Sequence, residues 1–395
     1  MKKKSILLLA LLSTVLACQN DKPVKFGAVL PLTGEAAVYG EPIRKGVELA
    51  IEQLGMLDDY PYELELIVVD SESDPEKGKQ LLEDLYSQDA LAVIGGVTTA
   101  EALAMVAVAD ENDRVLMSPS ASTPELTGIS KNFYRVFPSD AREGATMGNF
   151  ATQKMNAERV VVLAKESEYA KGIQEIFRKE FERHGGEVVE TIEFPSLSSD
   201  LSGVIERVMT LQPDAVYLAA YAEDLAQMIA HLRDQGYTET IFTTSAFAAP
   251  EIIAQVGRPA EGVFLTQAAF DLDSEEPETQ AFVQGYRAKF GSDPNLYAVH
   301  GYDAMMALAE ALRRSGALPS DFWSAVRSLR DFTGAAGAIQ FDERGDVQKY
   351  PRVYVVNNGE LIDYEAEVER RRKELLDRLR RLEEDQRRTR AETGG

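Results

Sequence analysis

Hydroxyl-bearing residues collect where two apolar runs stop abruptly, at Val93-Ile94-Gly95-Gly96-Val97-Thr98-Thr99 and at Leu116-Met117-Ser118-Pro119-Ser120-Ala121-Ser122-Thr123. In each, a strand pattern gives way to small and hydroxylated residues and then to a helical pattern. Backbone N–H groups and Ser/Thr hydroxyls therefore gather where two parallel strands end. Such a rim holds an anion without transforming it, which makes Thr98, Thr99, Ser120, Ala121 and Ser122 candidate binding residues. The same hydroxyls also suit helix capping. Chemistry of other kinds is poorly provided for. Gly-x-Ser-x-Gly is absent, no histidine lies near the Ser118 to Thr123 run in sequence, and no paired-carboxylate motif stands out, so an enzyme is the least favoured class. His184, His231, His300 and Cys18 are too few soft ligands for a zinc or iron–sulfur centre. The Asp342 to Asp346 run lacks the oxygen spacing and terminal glutamate of a calcium loop and reads as a turn. No metal and no cofactor are expected.

Positioning these rims requires a particular architecture. Strand patterns at Lys25 to Leu30, Leu64 to Val69, Leu91 to Ile94 and Val115 to Ser118 alternate with amphipathic segments. A second series follows at Val160 to Ala164, Glu187 to Glu193, Ala215 to Ala220, Ile241 to Thr244 and Gly262 to Thr266. Strand, helix, strand in succession needs crossover connections, hence two α/β lobes with parallel-type sheets covered by helices on both faces. Tyr134 to Asp140 is extended, contains Pro138, and reads as a strand passing between lobes. Asp140 stands at that passage as both a hinge residue and a candidate ligand contact. Two further helices, Thr279 to Phe290 and Ala298 to Ser315, suggest a return to the first lobe, with Gly337 to Asp342 and Arg352 to Val356 crossing back once more.

A chain of 395 residues exceeds one comfortable core, and 45% hydrophobic with 27% charged residues is a soluble globular composition. The net charge of −23 argues against nucleic acid, which demands a dense basic surface. Lys2, Lys3 and Lys4, the apolar Ile6 to Leu12 stretch and Val15-Leu16-Ala17 before Cys18 read as an export signal too short to span a bilayer permanently. This segment resembles the lipobox of bacterial lipoproteins, which implies a signal over 1–17 and lipidation at Cys18; Leu16 is a less usual occupant of its position. An ordinary secretory signal with an incidental cysteine is the plainer alternative. At the other end, 365–395 holds nine acids and ten bases around a thin stripe of Val368, Leu375, Leu379 and Leu382. Opposite charges three and four residues apart support a solvated charged helix rather than a coiled coil, whose seam would be fuller.

Several stretches together resemble the branched-chain amino acid binding proteins, the type I solute-binding components of ABC importers. They are Phe26-Gly27-Ala28-Val29-Leu30-Pro31-Leu32-Thr33-Gly34, Tyr39-Gly40, Gly46-Val47-Glu48-Leu49-Ala50, Asp70-Ser71-Glu72-Ser73-Asp74-Pro75 and Ser118 to Thr127, followed by Tyr134 to Asp140 and Phe341 to Asp346. The resemblance runs from about Lys25 to Tyr364. It implies two doubly wound lobes joined by three crossover strands, 24–139 with 270–342 and 140–269 with 343–364, that close over a small solute and deliver it to an ABC permease. It places carboxylate-binding positions on Thr99, Ser120 and Ser122, a cleft-mouth tyrosine on Tyr39, and closing tyrosines on Tyr169 and Tyr221. One departure matters. Members that bind amino acids place an acid after the Ile241 to Thr244 strand to pair with the ligand ammonium, and this chain has Ser245, Ala246 and Phe247. Asp140, Glu168 or Glu223 could supply the missing charge. Otherwise the solute is uncharged or purely anionic, and Phe247 would suit an apolar group. A ligand-sensing envelope lipoprotein on the same fold is the alternative to transport.

Overall fold

The computed structural model describes residues 22–195 and 201–393, with side chains described to residue 382. The signal segment and Cys18 lie outside these residues. The chain runs β1 (Val24–Leu30), α1 (Ala37–Gly55), β2 (Leu64–Asp70), α2 (Pro75–Ser87), β3 (Ala92–Gly95), α3 (Thr99–Asn112), β4 (Val115–Ser118) and β5 (Phe133–Arg135). The next series is α4 (Asp140–Gln153), β6 (Arg159–Lys165), α5 (Glu168–Arg183), β7 (Glu187–Phe194), α6 (Ser202–Leu211), β8 (Ala215–Ala219), α7 (Ala222–Asp234), β9 (Thr240–Thr243), α8 (Pro250–Val256) and β10 (Phe264–Ala268). There follow α9 (Pro277–Phe290), α10 (Leu296–Ser315), α11 (Pro319–Arg327), the hairpin β11 (Phe332–Gly334) and β12 (Gly337–Ile339), then β13 (Pro351–Asn357), β14 (Glu360–Asp363) and α12 (Tyr364–Thr393).

The first sheet has the order β2-β1-β3-β4-β5 and is parallel throughout. Its strands alternate as period-two strands must. Phe26, Ala28, Leu30, Ile94 and Met117 pack into the large core, whereas Val29, Val93 and Leu116 face a smaller cluster with Leu82, Leu85, Met105 and Ala109 from α2 and α3. The second sheet has the order β7-β6-β8-β9-β10-β13-β14 and repeats the winding of the first. It is parallel except at one edge, where β13 runs antiparallel to β10 and to β14. Hydrophobic alternation carries no strand direction; β13 enters from the opposite end because the chain arrives from the first lobe.

The three helices α9, α10 and α11 rejoin the first lobe, and α10 lies along α1. That crossing is tight enough to require glycine. A Cβ on Gly46 would stand 2.0 Å from the Ala298 carbonyl oxygen, and one on Gly301 2.4 Å from that of Ile43. Gly46→Ala is therefore expected to push the helices apart at a cost of about 1–3 kcal/mol. Thermal unfolding reads this directly, and an unchanged melting temperature would contradict so close a crossing. The last helix leaves the body quickly. Tyr364 packs against Phe150 and Phe264 at ring distances of 4.9 and 5.8 Å, after which Leu375, Leu376, Leu379 and Leu382 are exposed. Among the described residues no helix is long and apolar enough to cross a membrane.

Candidate functional site

In doubly wound sheets the carboxyl ends of the strands carry the ligand-facing loops. Here the carboxyl ends of β3 and β4 face those of β8 and β9 across a narrow cleft. From the first lobe come Tyr39, Val97, Thr98, Thr99, Ser120, Ala121, Ser122, Phe137 and Tyr297; from the second come Tyr169, Tyr221, Ser245 and Ala246. Among the described residues this lining contains no formally charged side chain.

The hydroxyl rim divides on inspection of its bonds. Gly96, at φ +67°, turns the chain sharply out of β3, and Thr98 then caps α3. Its hydroxyl accepts from the Glu101 N–H at 3.2 Å, while its own N–H and hydroxyl both donate to the Glu101 carboxylate at 3.0 Å. Thr98 is thus consumed by a capping box. Ser118 ties the two rim loops together, donating to the Gly96 carbonyl at 2.8 Å and accepting from the Ala121 N–H at 2.9 Å. Ser120 donates to the Val97 carbonyl at 2.7 Å. The fold brings Thr98, Thr99, Ser120, Ala121 and Ser122 to one space, but the polar groups of Thr98 and the N–H of Ala121 serve the loop itself. Thr99 and Ser122 are both buried at the cleft.

Three tyrosines cross between the lobes, and a fourth, Tyr169, stacks behind one of them. Tyr39 sits in α1, yet its hydroxyl accepts from the Ala222 N–H at the start of α7 at 2.7 Å and donates to the Ala246 carbonyl at 3.1 Å. Tyr297 in α10 donates to the Ser245 carbonyl at 2.9 Å. Conversely Tyr221, the residue preceding α7, brings its phenol to the Thr99 N–H and hydroxyl, which oppose the rise that burial imposes on its pKa. The rings form a continuous wall: Tyr169 stacks on Tyr221 at 5.0 Å, and Tyr39 lies 4.7 Å from Tyr297. Burial holds Tyr39, Tyr169 and Tyr297 well above the ordinary phenol range, so all remain neutral donors. At the mouth, Lys165 pairs with Asp224 at 2.7 Å within the second lobe and reaches Glu35 of the first at 3.3 Å.

Asp140 and Phe247 do not reach the cavity. Phe247 is fully buried in the second-lobe core, because the short turn Ser245–Phe247 directs its ring inward. Asp140 is the first residue of α4; its N–H donates to the Ser122 carbonyl at 2.8 Å, but neither carboxylate oxygen has a partner in hydrogen-bonding geometry. Burial pushes its carboxyl up to about 7 against the nearby Ser122 hydroxyl and Arg135 charge. One turn on, Glu143 accepts from the Ser245 N–H at 2.6 Å, the Ser245 hydroxyl at 2.9 Å and the Thr266 hydroxyl at 3.2 Å. Burial first, and then the Asp140 charge, raise Glu143 to about 8. Glu168 and Glu223, the other possible replacements for the absent acid, are exposed. Sequence reading missed Tyr297, Phe137 and Glu143. Asn295, whose side chain accepts from the Tyr297 and Ala298 N–H groups, marks the start of α10 and was the available signal for Tyr297.

Two doubly wound lobes facing each other across an uncharged, tyrosine-walled cleft define a two-lobed binding protein. The sequence profile of the periplasmic binding protein family matches residues 23–360, and the chain belongs to that family. The leucine binding protein LivK of Thermotoga maritima is 31% identical, with a TM-score of 0.81 over 86% of this chain and 97% of that one. The branched-chain amino acid binding protein LivJ of Streptococcus pneumoniae, solved with isoleucine, is 25% identical, with a TM-score of 0.81 over 86% and 98%. A leucine-, isoleucine-, valine-, threonine- and alanine-binding protein of Pseudomonas aeruginosa is 23% identical over 331 residues, covering 83% of this chain and 88% of that relative.

Proposed function

We propose that this chain captures a small organic solute between its lobes and presents it unaltered to an ABC permease, anchored outside the cytoplasm by lipid on Cys18. The moving bodies in this reading are 24–139 with 270–342 and 140–269 with 343–364. The observation that carries it is the cleft: residues from both sheets' carboxyl ends line one space, among them Thr99 at the head of α3, Ser122, and Tyr221 just before α7. Helix amino termini and hydroxyls stabilise a carboxylate, and the four tyrosines offer ring faces to the rest of the solute. A solute that touches both lobes favours the closed arrangement by its differential contacts.

Thermal-shift screening of the mature protein against amino acids, amides and organic acids identifies the solute, since a ligand of the native state raises the melting temperature. With that solute in hand, Thr99→Ala is expected to weaken binding by about 1–3 kcal/mol, the range for a charge-assisted hydrogen bond. Calorimetry checks this, and unchanged affinity would remove Thr99 from the site. The projecting helix α12, with four exposed leucines, supports a second reading in which the chain signals to another envelope protein. Deleting 365–395 separates the two: an importer component keeps solute affinity and transport, whereas a sensor keeps affinity and loses its partner.

A further inference from the structure

Resting on that reading, we infer that the solute is a monocarboxylate with no ammonium group, carried on an apolar or aromatic body. The inference follows from what each polar group around the cleft is already doing.

A buried ammonium needs a carboxylate or several free carbonyls, because an unpaired charge in a dry site is expensive. The acceptors nearest the cleft are engaged. The Ser245 and Ala246 carbonyls accept from Tyr297 and Tyr39, and those of Gly96 and Val97 from Ser118 and Ser120. Glu143 has both carboxylate oxygens bonded to Ser245 and Thr266. Glu101 is bonded on one oxygen to the Ser71 hydroxyl at 2.6 Å and on the other to Thr98. Asp140 has free oxygens but is fully buried and outside the lining. Burial also raises the carboxyls of Asp140 and Glu143, which reduces the negative charge they present behind the wall.

The donors tell the opposite story. The Thr99 N–H and hydroxyl at the head of α3 face the phenol oxygen of Tyr221, and the Ala222 N–H at the head of α7 donates to that of Tyr39. The head of α3, whose Thr99 belongs to the cleft lining, thus presents partial positive charge and two donor groups to an oxygen that a phenol supplies. A carboxylate oxygen is the ligand atom that competes best for such donors, since a charged acceptor binds more strongly than a neutral phenol. Phe137, Val97 and the tyrosine faces leave an apolar remainder for the body of the solute.

Matched pairs that differ only by the amino group test this on the intact mature chain. Calorimetry with 4-methylpentanoate against leucine, and 3-phenylpropanoate against phenylalanine, is expected to show the deaminated acid binding at least tenfold tighter in the pair whose body fits. The corresponding amide should bind more weakly than the acid, and Thr99→Ala should erase most of the difference between acid and amide. Equal or tighter binding of the amino acids overturns the inference while leaving solute capture in place. If neither these compounds nor a library of amino acids, amides and organic acids stabilises the protein, solute capture falls and the inference falls with it.

Discussion

Arg135→Met is expected to lower the stability of the folded chain by about 3–5 kcal/mol, the cost of stripping one partner from a buried ion pair. The guanidinium is fully buried where the chain first crosses between the lobes, and its Nε donates to Asp346, on the third crossing, at 2.7 Å. Its other nitrogens donate to the Thr123 carbonyl at 2.8 Å and the Thr127 hydroxyl at 2.7 Å, and Thr127 in turn donates to Asp346 at 2.8 Å. Methionine fills the volume but strips Asp346 of its counter-ion, takes the guanidinium from the Thr123 carbonyl, and leaves the Thr127 hydroxyl with Asp346 alone. Urea titration of Arg135→Met, Asp346→Asn and the double variant measures the coupling, which should exceed about 1 kcal/mol for groups in one network. A loss below about 1 kcal/mol in the single arginine variant would mean that water replaces the guanidinium and that the crossing is not held by this pair. Because Arg135 also lies 3.4 Å from the Ala121 carbonyl, the variant should loosen the Ser120 to Ser122 loop and weaken solute binding.

Local signals made the two rims readable, and non-local packing explains what was not. The stop from β3 into Gly96 and Thr98, and from β4 into Ser118, is written in a few consecutive residues, so the elements and their hydroxyls could be placed from sequence. Whether a hydroxyl faces the cleft or caps its own helix depends on a residue three positions on: Glu101 takes the polar groups of Thr98. Tyr297 reaches the cleft from α10, far along the chain, only because Gly46 and Gly301 let α10 lie flush on α1. Nothing in the local sequence sets Glu143 apart from any other acid in the first turn of a helix. Its meaning depends on Ser245 and Thr266, which are brought to it by the second sheet. The replacement of an acid by Ser245 was visible as a departure from a family pattern. That the loop's carbonyls are engaged by Tyr39 and Tyr297 was not visible, since hydrogen-bond partners across a cleft leave no periodicity in sequence.

The buried pair Asp140 and Glu143 gives the protein a pH dependence of a definite sign. Glu143 is pushed up to about 8 and Asp140 to about 7, both far above ordinary carboxyls, so between about pH 5 and pH 8 the folded state holds more protons than the unfolded chain. Stability contributed by these groups is therefore fully present below the unfolded carboxyl range and falls as pH rises toward the folded values. Glu143→Gln mimics the protonated acid and removes its part of that loss. At pH 5 the variant should melt close to the unaltered protein. At pH 8 it should be more stable, by an amount on the order of a few kcal/mol, because each tenfold difference in proton affinity between the folded and unfolded chain is worth about 1.4 kcal/mol. Relief of the Asp140 charge by the loss of its neighbour acts in the same direction. Melting temperatures of the two proteins measured from about pH 5 to pH 8.5 decide between two outcomes: diverging curves support a proton held at Glu143, whereas parallel curves show that the carboxyl ionises without penalty. Parallel curves would also mean that a full negative charge stands behind Ser245, and the electrostatic case against an ammonium-bearing solute would weaken with it.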